Sequence, residues 1–119
     1  MASPFLKWAG GKRQLIEDIE SRLPEELGAD GNRRYAEPFV GSGVLMFHLF
    51  EKELIDNALI SDLNKDLVNA YRTIREDVSG VISCLESIQE RYDESSQEIR
   101  KEDYFSIRKE FNDRRATFD

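Results

Sequence analysis

EPFVGSG, residues 37–43, predicts a buried strand that ends in a glycine turn and continues into a helix. Glycine has no side chain, so a turn at Gly41 and Gly43 lets backbone N–H groups and a helix N-terminus approach a ligand closely. A dinucleotide fingerprint needs a third glycine where this chain has Met46, and that glycine allows tight packing around a pyrophosphate. The turn therefore favours a nucleotide-like ligand without a pyrophosphate. The two glycines alone fit an ordinary strand–helix turn equally well.

An acid follows the next apolar run of the chain. Asp62 stands about 20 residues beyond the turn, where a carboxylate would hydrogen-bond ribose hydroxyls. S-adenosylmethionine fits this combination, because it has an adenosine and a charged amino-acid tail but no phosphate. A helix N-cap is the alternative interpretation of Asp62.

Upstream of the turn lies FLKWAGGK, residues 5–12. A phosphate-binding P-loop is excluded, because it requires glycine at the position of Leu6 and a hydroxyl residue at that of Arg13. The glycine pair and the Lys12 ammonium at a predicted helix start suit a carboxylate. Trp8 offers an aromatic face for a cation or an adenine. The alternative is that Trp8 is a core residue and Lys12 is solvated.

Hydrophobic periodicity predicts a compact βαβ unit with parallel strands, because such a crossover demands parallel pairing. Leu15, Ile16, Ile19 and Leu23 define the buried face of a first helix, and Leu45, Met46, Leu49 and Phe50 that of the crossover helix. The predicted elements are a helix at 12–23, a loop at 24–34, a strand at 35–40, a helix at 43–53 and a strand at 58–60.

Only helices are predicted after Asp62. The first begins after a possible cap at Asn64, and a polar break at 93–98 precedes the last. Their apolar positions are Leu67, Val68, Tyr71 and Ile74, then Val81, Ile82, Leu85 and Ile88, then Tyr104, Ile107 and Phe111. Two parallel strands do not make a stable sheet, so we expect the sheet to be completed by further chain or by self-association.

Composition limits the function classes. The 119 residues carry a net charge of −7, which argues against a generic nucleic-acid-coating surface but allows a local basic groove. The sequence predicts no membrane span and no signal peptide, and the single cysteine, Cys84, is expected to be a small core residue in a cytoplasmic protein. His48 has no second ligand at metal spacing, so no metal site is predicted.

Four segments resemble, in order, motifs of the Dam-like (D12 class) DNA adenine-specific methyltransferases. KWAGGK resembles their N-terminal cofactor motif, EPFVGSG their glycine motif, and DLN with the helix after it their ribose-binding acid. YFSIRKEFN resembles the opening of their target-recognition insert. These segments are residues 7–12, 37–43, 62–64 and 104–112.

The resemblance implies an α/β, Rossmann-like methyltransferase fold that uses S-adenosylmethionine and is only partly present in this chain. Residues 1–65 would be the N-terminal part of the cofactor-binding domain, and residues 66–119 the helical start of the DNA-binding insert. It implies contacts to S-adenosylmethionine from Trp8, Lys12 and Asp62, with Phe39, Gly41 and Gly43 lining the same pocket. The implied reaction is methylation of the N6 amino group of a flipped adenine in double-stranded DNA.

The family's catalytic Asp-Pro-Pro-Tyr tetrapeptide does not occur in this sequence. We therefore expect the chain to be truncated before the catalytic motif, to contain no catalytic residue and to be inactive alone. The alternatives are a stand-alone module that binds S-adenosylmethionine or a protein partner without catalysis, and an NAD-dependent enzyme. Restriction–modification, strand discrimination in repair and a mobile element are all compatible with the resemblance.

Overall fold

The computed structural model describes residues 2–10 and 12–117. The chain divides into two compact units, Met1–Lys65 and Asp66–Asp119. The functional roles assigned above to residues 1–65 and 66–119 remain predictions. No helix in the described part of the chain is long and apolar enough to cross a membrane.

A parallel βαβ arrangement forms the first unit. A 3₁₀ turn, Arg13–Leu15, leads into α1 (Ile16–Glu20), and then follow β1 (Arg34–Glu37), α2 (Val44–Glu51) and β2 (Asn57–Ile60). The two strands pair in parallel, with Arg34 opposite Asn57 and Glu37 opposite Ile60. The prediction of two parallel strands joined by a crossover helix is therefore confirmed, and both strands end on the same edge of the sheet. The prediction that the first strand is buried is wrong, because its residues alternate between exposed and half-buried.

The boundaries of the elements differ from those predicted. The helix expected at 12–23 is a 3₁₀ turn followed by five α-helical residues. The strand expected at 35–40 ends at Glu37, because Pro38 has no N–H to donate to the ladder. The crossover helix begins at Val44, since Gly43 is its N-cap in the left-handed region with φ 75°.

The core of the first unit lies between α2, α1, the two strands and the loops that connect them. Leu45, Leu49 and Ile55 form its buried centre. Partly buried residues pack around them: Ile16, Ile19, Leu23, Leu27, Tyr35, Phe50, Leu54 and Ala58. The predicted inward face of α2 is confirmed, but Leu15 is 53% exposed, because it belongs to the 3₁₀ turn rather than to the α-helical face.

The second unit is helical. It contains α3 (Lys65–Glu94), α4 (Gln97–Arg114) and a 3₁₀ turn, Arg115–Thr117. Helix α3 is interrupted at Asp77 (φ −148°, ψ 62°), so two helical segments are present as the periodicity predicted. The predicted polar break at 93–98 is wrong over most of its length, because only Ser95 and Ser96 lie between the helices. The hydroxyl of Ser96 caps α4 by accepting from the Ile99 N–H at 3.4 Å.

Most of the apolar face predicted for these helices is exposed. Ile82, Leu85 and Ile88 are 48%, 59% and 53% exposed, and Tyr104, Ile107 and Phe111 are exposed as well. Cys84 is also exposed, so its prediction as a core residue is wrong. In the described part of this unit Leu67 is the only buried hydrophobic residue, because the two helices offer too little surface to cover each other's apolar positions.

Asp77 acts as an internal helix cap. Its Oδ1 accepts from the Gly80 N–H at 3.0 Å, three residues along, which is the geometry of an N-cap side chain. We expect Asp77→Ala to destabilise the second segment of α3 by about 1 kcal/mol. Hydrogen exchange at the Gly80 amide should quicken. Glu76→Ala, at the neighbouring exposed acid, should leave that amide unchanged, and equal effects of the two substitutions would contradict the capping role.

Candidate functional site

An open cavity of about 340 Å³ lies in the first unit, beyond the carboxyl ends of both strands. Ligands of open α/β sheets bind in this position, and cavities of small-molecule size begin at about 300 Å³. Three segments form its walls: the N-terminal segment, the turn after β1 and the residue that follows β2. The lining residues are Trp8, Ala9, Gly10, Lys12, Phe39, Val40, Gly41, Ser42, Val44, Leu45 and Asp62.

The structure brings five of the six predicted site residues to this cavity. Trp8, Lys12, Phe39, Gly41 and Asp62 line it. Gly43 is not among the lining residues. Its left-handed backbone begins α2 instead, with its N–H donating to the Val40 carbonyl at 2.8 Å. Gly11, the second glycine of the pair before Lys12, lies outside the described residues.

Asp62 ties the two sides of the cavity together. Its Oδ2 accepts from the Gly41 N–H at 3.1 Å and its Oδ1 accepts from the Asn64 N–H at 2.9 Å. The backbone N–H groups of Asn64 and Gly41 lower the pKa of Asp62 below its ordinary value, because they stabilise the charged form. The carboxylate is therefore ionised at neutral pH. It can accept further hydrogen bonds, since two oxygens offer about four acceptor positions.

Trp8 and Gly41 are in close contact. Gly41 has φ +53°, and a Cβ added there would lie 3.3 Å from Trp8 Cδ1. Trp8 is 38% exposed, so the alternative that it is a core residue is wrong. The glycine allows the indole to lie directly against the turn, and the ring forms an aromatic wall of the cavity.

Lys12 is held by a polar network rather than solvated freely. Its Nζ donates to Glu37 Oε1 at 3.3 Å and to the Phe39 carbonyl at 3.0 Å. The Phe39 N–H donates to Glu37 Oε1 at 3.3 Å, and the Tyr35 hydroxyl donates to Glu37 Oε2. Burial, followed by the effect of the Glu37 carboxylate, raises the pKa of Tyr35, so its hydroxyl remains a donor. The predicted set of site residues omitted Glu37, although it opens the glycine motif.

Sequence reasoning also missed several residues of the cavity wall. Ala9 and Gly10 lie within the motif at residues 7–12, and Ser42 lies within the motif at residues 37–43. Membership of these motifs could have identified them from the sequence. Val44 and Leu45 line the cavity from the first turn of α2, which brings the amino end of that helix to the site. The first N–H groups of a helix have no partner within it, and they favour anionic groups.

The chemistry of the site is that of binding. It combines an ammonium, a helix N-terminus, an ionised carboxylate and an aromatic face. These groups suit a ligand with an anionic group, hydroxyl donors and a flat or cationic portion. In the described ranges 2–10 and 12–117, no group of three or more His, Cys, Asp or Glu side chains is placed to hold a metal ion.

Comparison with known proteins places the chain in a family. The family model described as D12 class N6 adenine-specific DNA methyltransferase matches residues 8–119. The chain belongs to this family. The resemblance drawn from its motifs is thus confirmed, and membership implies S-adenosylmethionine as the methyl donor.

Similar proteins include methyltransferases from archaea, bacteria and a phage. Type II methyltransferase M.MjaIII of Methanocaldococcus jannaschii is 42% identical over 92% of this chain and 38% of its own length. A DNA adenine methylase of Vibrio cholerae is 39% identical over 91% of the chain and 34% of its own length. The DNA N-6-adenine-methyltransferase of Escherichia phage P1 is 32% identical over 91% of the chain and 12% of its own length. The chain thus spans little more than a third of the first two relatives, and no solved structure matches it.

Proposed function

We propose that this chain forms the S-adenosylmethionine-binding part of a DNA methyltransferase that acts on the N6 amino group of adenine in double-stranded DNA. The observation that carries the proposal is the cavity. It brings Trp8, Lys12, Gly41 and Asp62 together at the carboxyl ends of two parallel strands. These residues come from the three segments whose sequences resemble the family's cofactor motifs.

The residues present fit the cofactor. Lys12 and the amino end of α2 suit its carboxylate, Asp62 suits its ribose hydroxyls, and Trp8 suits its adenine ring or its sulfonium. Phe39 and Gly41 complete the wall. The bound cofactor would supply an electrophilic methyl group on a sulfonium. The role of this chain is to bind the cofactor and to orient that group.

We further propose that β1, α2 and β2 are part of a Rossmann-like sheet, and that residues 66–119 begin the target-recognition insert. Support for the insert comes from the helical character of α3 and α4 and from a family match that extends through residue 119. Double-stranded DNA would be the partner, and the family description supports this by naming DNA as the substrate class. A cytoplasmic location suits such an enzyme.

Tryptophan fluorescence tests the proposal directly, because Trp8 is the only tryptophan of the chain and lines the cavity. We expect a saturable change in fluorescence when S-adenosylmethionine is added to the chain, confirmed by calorimetry. NAD serves as the control and should produce no saturable change. Binding of NAD without binding of S-adenosylmethionine would contradict the proposal and favour a dinucleotide enzyme.

A further inference from the structure

Glu37 lies behind the cavity wall and uses both carboxylate oxygens. Its Oε1 accepts from Lys12 Nζ and from the Phe39 N–H, both at 3.3 Å, and its Oε2 accepts from the Tyr35 hydroxyl. The Glu37 side chain is 13% exposed, whereas that of Lys12 is 32% exposed. Glu37 thus connects the end of β1 to two residues that line the cavity.

Tyr35 anchors this carboxylate to the rest of the unit. The tyrosine packs against the buried cluster of Leu45, Leu49 and Ile55, and its hydroxyl reaches Glu37. A continuous series of contacts therefore runs from the core through Tyr35 and Glu37 to Lys12. The position of the Lys12 ammonium is fixed by groups that are themselves fixed by packing.

The hydrogen-bonding capacity of Lys12 leaves room for a ligand. An ammonium has three N–H donors, and in Lys12 one is used by Glu37 and one by the Phe39 carbonyl. A free lysine side chain samples many rotamers, and ordering it costs free energy when a ligand binds. Holding it in advance removes part of that cost.

We propose that Glu37 is a positioning residue, which holds the Lys12 ammonium at the cavity wall so that its remaining N–H can bind the carboxylate of an amino-acid-bearing ligand. The proposal rests on the proposed function, since the ligand is the amino-acid portion of S-adenosylmethionine. According to this proposal, Glu37 affects the binding of the amino-acid portion of the ligand and not that of the adenosine.

The test compares two ligands across matched variants. S-adenosylmethionine carries the amino-acid portion, and 5′-methylthioadenosine keeps the adenosine and lacks it. Glu37→Gln has nearly the same shape, but it removes the charge and replaces one acceptor oxygen with a donor. We expect Glu37→Gln to weaken S-adenosylmethionine by about fivefold, which is the size that a partly exposed ion pair allows. Binding of 5′-methylthioadenosine should not change.

Lys12→Met gives a second, independent measurement. Lys12→Met should weaken the binding of S-adenosylmethionine and leave that of 5′-methylthioadenosine unchanged. When Glu37→Gln is added to Lys12→Met, we expect no further loss of affinity, because the lysine that Glu37 positions is gone. Glu20→Gln is the control. The Glu20 carboxylate lies 3.1 Å from the His48 ring, and neither residue lines the cavity. This substitution should leave both affinities unchanged.

The outcomes separate this inference from the proposed function. Equal weakening of the two ligands by Glu37→Gln would show a general structural role and overturn the inference, as would an unchanged or tighter affinity for S-adenosylmethionine. Additive losses in the double variant would overturn it too. If the unsubstituted chain binds neither ligand, the proposed function fails and the inference fails with it.

Discussion

Replacing Gly41 with alanine should weaken the binding of S-adenosylmethionine by roughly 5- to 30-fold, because placing a non-glycine residue in the left-handed backbone conformation costs about 1–2 kcal/mol. The turn has φ +53°, and the new Cβ would lie 3.3 Å from Trp8 Cδ1. Relief of this strain requires either the turn or the indole to move, and both are walls of the cavity. Binding must then restore the strained turn or accept a displaced wall. Calorimetry with S-adenosylmethionine measures the loss.

Gly31→Ala is the matched control for this substitution. Gly31 has φ +79°, and a Cβ there would meet nothing within 4 Å. The backbone cost is therefore similar, but Gly31 is not part of the cavity wall. We expect Gly31→Ala to lower the melting temperature without changing the affinity. An unchanged affinity in Gly41→Ala, or equal losses in the two variants, would contradict the role given to the Trp8–Gly41 contact.

Asp62→Ala should weaken the binding of S-adenosylmethionine by about 1–3 kcal/mol, or roughly 5- to 150-fold, because it removes a charged acceptor and the two hydrogen bonds that this acceptor forms with the backbone. The donors of those two bonds are the N–H groups of Gly41 and Asn64. The substitution therefore loosens the cavity as well as removing the acceptor for the ribose. Asp56→Ala is the control, because Asp56 pairs with Arg33 before β2 and away from the cavity. Equal affinities of the two variants would contradict the role of Asp62.

The lowered pKa of Asp62 also predicts how the stability of the fold depends on pH. A carboxyl group whose pKa is lower in the folded than in the unfolded chain stabilises the fold above its ordinary pKa, here 3.8. That contribution is lost as the pH falls from this value through the lowered pKa. We expect the melting temperature of Asp62→Asn to approach that of the unsubstituted chain in this acid range and to lie below it at neutral pH. A constant difference across the whole range would contradict the assignment.

Much of the first unit could be predicted from sequence, because local patterns determine it. Short apolar runs located β1 and β2, helical periodicity located α2, and the short crossover required parallel pairing. The boundaries were less predictable. Gly43 adopts a left-handed conformation that moves the helix start, and Pro38 ends the strand early. The polar residues at 93 and 94 continue α3, because charged side chains are tolerated on an exposed helix face.

The residues of the site were likewise predictable where local sequence patterns mark them, and not where their role depends on contacts between distant parts of the chain. Trp8, Gly41 and Asp62 were identified because motif spacing and backbone chemistry mark them in the sequence. The part played by Glu37 depends on a contact with Lys12, 25 residues away, and on a tyrosine two residues before it in the strand. No local pattern records such a contact. The absence of Gly43 from the cavity wall likewise depends on how the turn is oriented in three dimensions.

Chemical-shift mapping tests the central claim, that this cavity binds S-adenosylmethionine, most directly. Titration of the ¹⁵N-labelled chain should shift the Trp8 indole resonance and the backbone amides of Gly10, Gly41, Ser42 and Asp62. The resonances of the α4 backbone amides should not shift. Shifts confined to residues outside the cavity, or no shifts at saturating S-adenosylmethionine, would contradict the account.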